Sequence, residues 1–312
     1  MKKTAFLFPG QGSQSVRMGQ DLYQELAEVR AIFEMAEETS RLPVTRLCFE
    51  GPLIELTATV NLQPAITAVN LGCLAALQKA GVTPDVTAGH SLGEYSALCA
   101  SGVLTCEDTL RLVFRRGDLM HRESLKHAGA MHALLGLSIT RVQELVDRFQ
   151  SRGTVSVANH NTENQIVITG DPEAVADVSA QAAAEGAKAI PLKVSGAWHS
   201  ELIRGAVGDF KTALAAVTFS SPQKPVVHNV TADFAADTEE IREIMARQLC
   251  NPVRWYDSMR KLESEGVEVL VEIGPGRVLS GLLKKIMPKG HTAQIYNVND
   301  LKSLERFLAA IA

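Results

Sequence analysis

Gly89-His90-Ser91-Leu92-Gly93 reads as a G-x-S-x-G pattern. A strand-like run over 85–88 precedes it and a helical pattern over 92–100 follows, the setting that a nucleophile elbow requires. The glycines permit a tight, strained turn that lifts a serine hydroxyl clear of the backbone. The helix after the turn aims free N–H groups at the same spot, which suits an oxyanion. A glycine-bounded turn with a solvated serine fits the pattern alone; the flanking elements favour the nucleophile.

A serine hydroxyl needs a base, and eight histidines compete for that role. His121, His127, His132 and His291 sit in polar or helix-end settings. His90 adjoins the serine, but neighbours on a sharp turn point apart. His160 and His228 stay open. His199 lies in Ser195-Gly196-Ala197-Trp198-His199-Ser200, a small-residue loop at an expected domain junction, where it could face a cleft. An ordinary surface histidine is the competing reading.

A second glycine loop, Pro9-Gly10-Gln11-Gly12-Ser13-Gln14, follows the first strand candidate. It fails as a dinucleotide fingerprint, because Ser15 stands where the third Gly or Ala is needed. It is either a plain tight turn or a backbone amide aimed at a ligand oxygen. On the helical pattern over 106–122, Leu110, Val113, Phe114 and Gly117 form an apolar stripe. Arg115 lies opposite and should be solvated; Arg111 and Arg116 flank the stripe, where a guanidinium could reach a cleft. No HExxH, EF-hand loop or paired-cysteine ligand set is present.

These groups need elements to hold them. Strand-like and helix-like segments alternate along the chain, which predicts an α/β fold with a mainly parallel sheet. Strands are expected over 5–8, 85–88, 131–137, 154–158, 165–169, 188–194, 225–230, 267–273 and 294–298. Helices are expected near 19–40, 64–80, 92–100, 106–122, 140–149, 172–185 and 253–265, with one opening at Thr238 and two more after Gly276. Thr140 with Gln143 looks like a capping box, Asp171-Pro172-Glu173 like a capped helix start, and Thr238 like a cap. The order β-α-β-β-α-β over 128–195 is the ferredoxin-like pattern. It is expected as a small subdomain inserted into a larger one made of 1–127 and 196–312.

Composition narrows the function. The chain has 312 residues, 46% apolar and 21% charged, enough for a large core. Lys plus Arg is 31 against 35 Asp plus Glu, a net charge of -4. That argues against a global grip on nucleic acid, and 5% aromatic residues argue against a base-stacking surface. The longest apolar stretch, 65–77, is interrupted by Thr67 and Asn70 and is too short to predict a membrane span. Pro9 and Gly10 cut short the apolar start, so no signal peptide is expected. Five cysteines without a CxxC pair suit free thiols in a reducing cytosol.

Five spaced motifs then converge: Phe8-Pro9-Gly10-Gln11-Gly12-Ser13-Gln14, Gly89-His90-Ser91-Leu92-Gly93-Glu94-Tyr95, Arg116-Gly117, Gln248-Leu249-Cys250-Asn251-Pro252-Val253 and Glu272-Ile273-Gly274-Pro275-Gly276. Carrying them in this order over nearly its whole length, the chain resembles the malonyl-CoA:acyl-carrier-protein transacylases of fatty acid synthesis. The resemblance implies an α/β-hydrolase-like core with an inserted ferredoxin-like subdomain. It implies Ser91 as nucleophile, His199 as base and later acid, and the Gln248 backbone carbonyl as the group that holds the imidazole. The amides of Gln11 and Leu92 match the family's oxyanion hole, and Arg116 matches the arginine that pairs with the malonyl carboxylate.

The reaction so implied is a two-step malonyl transfer through a serine ester, from malonyl-CoA to the phosphopantetheine thiol of acyl carrier protein, in a cytoplasmic monomer. No metal or redox cofactor, nucleic acid or membrane is implied. Arg277, Lys284, Lys285 and Lys289 cluster in sequence and could guide an acidic carrier. Trp198 departs from relatives that often carry Phe or Ser before the histidine. The loop Ser195-Gly196-Ala197-Trp198-His199 is also similar to that of stand-alone acyltransferases serving polyketide synthases. A G-x-S-x-G esterase or thioesterase and a non-catalytic carrier-binding protein are the other readings; Ser91, His199 and Arg116 together count against the last.

Overall fold

A computed structural model of the chain describes residues 2–288 and 290–311. Among the described residues nine strands follow in chain order: β1 (Thr4–Phe8), β2 (Val86–Gly89), β3 (Ala130–Leu135), β4 (Val155–Thr162), β5 (Gln165–Gly170), β6 (Lys188–Pro191), β7 (Val226–Val227), β8 (Val269–Ile273) and β9 (Gln294–Val298). Five of them build a wholly parallel sheet in the order β7-β2-β1-β8-β9. Its inner strands are apolar runs rather than alternating ones. β1 buries Ala5 to Phe8 and β8 buries all five of its residues, as a sheet covered on both faces demands.

Because the sheet is parallel, the carboxyl ends of its strands share one edge. The loop with Gly10 and Gln11 follows β1, Ser91 follows β2, His228 and Asn229 follow β7, and Gly274 follows β8. The chain steps from β1 to β2 on one side and returns to β8 on the other. The crevice between such neighbours is where ligands bind in open parallel sheets.

The other four strands form an antiparallel sheet in the order β4-β5-β3-β6. The helices Ile139–Phe149 and Pro172–Ala184 cover one face of it, so residues 130–191 run β-α-β-β-α-β. Leu134, Val142, Val146, Ile168 and Val178 lie in their shared core. Two backbone bonds tie this layer to the rest: Val253 N donates to Ala158 O at 2.8 Å, and His160 N donates to Val253 O at 2.9 Å.

The helix Thr59–Lys79 is longer than the apolar stretch read from sequence and carries Pro64 in its interior, where the ring leaves the Val60 carbonyl without its i→i−4 donor. An 18-residue window of this helix is apolar enough to cross a membrane, yet 83% of that window is buried inside the protein. It packs along the helix Cys106–Lys126. Gly117 makes that approach possible, since a Cβ there would sit 3.0 Å from the Thr59 carbonyl oxygen.

Several local expectations are corrected. Ser138, not Thr140, caps the helix Ile139–Phe149, accepting from Arg141 N. Asp237, not Thr238, caps the helix Thr238–Arg247, accepting from Glu239 and Glu240 N. The Asp171 carboxylate makes no cap bond and instead accepts Thr154 N at 2.6 Å. The helix near 19–40 divides at Leu26 into Gln20–Glu25 and Ala27–Ser40, and Arg30 satisfies the freed carbonyls of Tyr23 and Gln24. The strand over 225–230 shrinks to two residues, because the chain turns out of the sheet to send His228 and Asn229 inward.

Candidate active site

Ser91 stands on the turn between β2 and the helix Gly93–Ala100 with φ +51°. A non-glycine residue held there stores about 1–3 kcal/mol of backbone strain, which the surroundings must over-determine. The glycines on either side let those surroundings close in. A Cβ on Gly89 would lie 2.0 Å from Gly93 C, and one on Gly93 would lie 1.9 Å from Phe8 O. The serine is thus wedged between β2, its own helix and the end of β1.

Asn229 pins the turn from the other side. Ser91 N donates to Asn229 Oδ1 at 2.7 Å, and Asn229 Nδ2 donates to Gly89 O at 2.6 Å. Behind it lies the fully buried Glu94 carboxylate, which accepts from Gln248 Nε2 at 2.6 Å and from Asn229 N at 3.3 Å. His228 Nδ1 bonds the same carboxylate at 2.8 Å. Sequence reasoning missed Asn229 and gave Glu94 no role. Their signal was positional: polar residues just past the carboxyl ends of β7 and β2.

The histidine contest has a geometric answer. Ser91 Oγ lies 2.8 Å from His199 Nε2, and His199 Nδ1 lies 2.8 Å from Gln248 O. A carbonyl oxygen only accepts, so Nδ1 carries the proton and Nε2 presents its lone pair to the serine. His199 is buried, with φ +62°. Burial first, then the nearby Arg116 charge, lowers its pKa to about 3, so the ring is neutral at ordinary pH. His90 turns away to Asn161 Oδ1 at 2.8 Å, His228 faces Glu94, and the His160 ring packs against Tyr256.

Arg116 reaches the same hydroxyl. Its Nη2 donates to Ser91 Oγ at 3.1 Å and to Gln248 Oε1 at 3.2 Å, and its Nη1 donates to Gln63 Oε1 at 2.9 Å. Its Nε is buried without a partner, and the guanidinium carbon lies 5.6 Å from the centre of the Tyr95 ring. The side chain is fully buried, which lowers its pKa from the usual guanidinium value. Among the described residues no carboxylate lies within 4.0 Å of it. A buried cation held only by neutral oxygens is a poised anion site, because desolvated charge is costly until it is paired. Arg111, the other candidate, is exposed and pairs with Glu107, while the half-exposed Arg115 pairs with Asp118.

The Gly10 loop meets the elbow. A Cβ on Gly10 would lie 2.5 Å from His90 O and 3.4 Å from Leu92 N, so only glycine lets the two backbones approach. Among the described residues, neither the Gln11 nor the Leu92 backbone N–H donates to a protein acceptor. Asn70 holds the loop by donating to Pro9 O at 3.1 Å. Gln11 also lines a cleft of about 1000 Å³, whose other walls are Leu53, Ile54 and Leu62 on one side and residues 192–195 on the other.

Glu272, in the last motif, has a different task. Its buried carboxylate accepts from Leu279 N at 2.9 Å and Ser280 N at 2.8 Å, capping the helix Val278–Ile286. Arg277, Lys284 and Lys285 are exposed around that helix; Lys289 lies outside the described residues.

The acyl transferase domain family matches residues 5–304. The chain is 44% identical over 288 residues to a malonyl CoA-acyl carrier protein transacylase of Bacillus subtilis (strain 168), covering 92% of this chain and 91% of that protein. It is 39% identical over 289 residues to the protein of the same name in Escherichia coli (strain K12), covering 92% and 94%. Among solved structures, an acyl carrier protein S-malonyltransferase of Vibrio cholerae superimposes with a TM-score of 0.92 at 37% identity, covering 98% of this chain and 99% of that one. A malonyl-transacylase solved with its type II PKS acyl-carrier protein does so with a TM-score of 0.94 at 38% identity, covering 99% of each. The chain belongs to the acyl transferase family, among the malonyl CoA-acyl carrier protein transacylases.

Proposed function

We propose that the protein transfers a malonyl group from malonyl-CoA to the phosphopantetheine thiol of acyl carrier protein. The observation that carries this reading is the buried Arg116 guanidinium, without a carboxylate partner among the described residues, 3.1 Å from the Ser91 hydroxyl. An acyl chain ending in a carboxylate would supply the missing partner as its thioester carbon reaches the serine.

In the first half-reaction Ser91 Oγ attacks the thioester carbon while His199 Nε2 takes the hydroxyl proton. The imidazolium so formed stays aligned by its Nδ1–H bond to Gln248 O. The Gln11 and Leu92 amides would hold the oxyanion. Collapse breaks the carbon–sulfur bond, and His199 returns the proton to the departing CoA thiolate. The carrier thiol then repeats the sequence in reverse, losing its proton to His199 and freeing Ser91.

This reading takes residues 1–127 and 196–312 as the catalytic part and 128–195 as an insertion, in a cytoplasmic monomer that engages neither nucleic acid nor a membrane. Likeness to a transacylase solved with a polyketide carrier supports a second reading of the pathway, with the same chemistry. A panel of carriers from fatty acid and polyketide systems separates the two.

The test of the reaction is mass spectrometry after malonyl-CoA treatment. One malonyl adduct is expected on Ser91, discharged by holo-carrier and missing from Ser91→Ala. An equal adduct on the variant, or discharge to water alone, would overturn the reading.

A further inference from the structure

We propose that Cys99 and Cys106 form a peroxide-oxidisable dithiol that closes reversibly to a disulfide. Their sulfurs lie 3.5 Å apart, in contact but not bonded, and both residues are partly exposed. The bond would join the helix that begins behind Ser91, Gly93–Ala100, to the helix that carries Arg116, Cys106–Lys126.

The two thiols are unequal. Cys106 is the first residue of a 21-residue helix capped by Thr105, so its sulfur sits at the positive end of the helix dipole. The acidic neighbours are engaged elsewhere: Glu107 with Arg111, and Asp108 with the Thr105 hydroxyl. The hydrogen bond between the sulfurs lowers the pKa of Cys106 and raises that of Cys99. Cys106 is therefore the thiolate that meets the oxidant, and Cys99 the thiol that resolves. The other cysteines lack both features. Cys48 and Cys73 are buried, and burial raises the pKa of Cys250 to about 11.

The oxidant is hydrogen peroxide. The Cys106 thiolate attacks one peroxide oxygen, the O–O bond breaks, and hydroxide leaves to take up a proton as water. The sulfenic acid so formed is then attacked by the Cys99 sulfur. The S–S bond forms as the S–O bond breaks, and hydroxide leaves with the Cys99 proton as a second water. The two sulfurs together lose two electrons to the peroxide. Geometry asks little, since the sulfurs must close from 3.5 Å to about 2.0 Å.

The chemistry does not depend on acyl transfer, and the experiment does not read it. The full chain is treated with hydrogen peroxide, alkylated, and digested without reductant. The expected product is a Cys99–Cys106 cross-linked peptide that dithiothreitol releases. In Cys99→Ser the resolving thiol is gone, and dimedone should trap a sulfenic acid on Cys106. Oxidation falling mainly on Cys250, or overoxidation of Cys106 in the wild-type chain without a cross-link, would overturn the proposal. So would dimedone labelling of Cys99 in Cys106→Ser at the rate seen for Cys106.

Discussion

Arg116 Nη2 donates to Ser91 Oγ at 3.1 Å, so the buried cation that we propose binds the substrate carboxylate already holds the serine hydroxyl. On that proposal, binding of the carboxylate and release of the nucleophile are linked. The guanidinium has one set of donors to share between Ser91, Gln248 and the incoming acyl group.

Arg116→Ala should therefore change which acyl group is used. Truncating one side of a charge-assisted bidentate pair in a closed cleft costs about 2–5 kcal/mol. Malonyl-CoA should lose roughly 10²-fold or more in kcat/KM. Acetyl-CoA, with no carboxylate, should lose little. Arg116→Lys should keep only part of the malonyl activity, because a point charge cannot reproduce the fork. Equal loss for both substrates would assign Arg116 to the fold or to the CoA moiety.

The pH profile reads the same contact. A His199 pKa lowered to about 3 leaves the ring in its basic form at every pH above that value. The acid limb of kcat/KM for acylation should fall well below the usual histidine range near pH 6.5. Arg116→Ala removes one of the causes that lower the pKa, so the limb should move toward higher pH. A wild-type limb at the ordinary histidine value would contradict the burial argument.

Asn229→Ala tests the support of the elbow. It strips the acceptor from Ser91 N and the donor from Gly89 O, both at a strained turn. Leaving such groups unpaired should cost about 1–3 kcal/mol in urea denaturation. The acylation rate should fall with little change in KM for malonyl-CoA, since the hydroxyl is displaced while Arg116 stays. Full activity with unchanged stability would show that the turn holds itself.

Carrier docking can be read on the helix Val278–Ile286. Lys284 and Lys285 are exposed there, and among the described residues Lys285 bonds Gln165 Oε1 at 3.4 Å. Reversing both charges should raise KM for an acidic carrier and flatten its salt dependence, while acylation by malonyl-CoA stays as it was. Unchanged carrier kinetics would move the docking face elsewhere.

The sequence by itself determined the elbow. Gly89 and Gly93 are legible because such a turn leaves no room for a side chain, a Cβ at either position falling 2.0 Å and 1.9 Å from backbone atoms, and a serine between them in a strand–turn–helix has few other uses. The alternation of short apolar runs with amphipathic stretches was enough for an α/β fold, since each run must be covered on both faces. Caps were misread at Thr140 and Thr238 because neighbouring residues offer the same side-chain oxygen one or two positions away. Residues 108 positions apart in sequence, such as Ser91 and His199, meet only through tertiary packing. No local pattern distinguishes His199 from His228, or Arg116 from Arg111. The choice was made by the parallel sheet, which brings the ends of β1, β2 and β7 to one edge, and by the buried face of the helix Cys106–Lys126, which turns one arginine inward and leaves the other in water. Asn229 and the Gln248 side chain entered the site the same way, as polar groups whose partners exist only once distant segments are packed together.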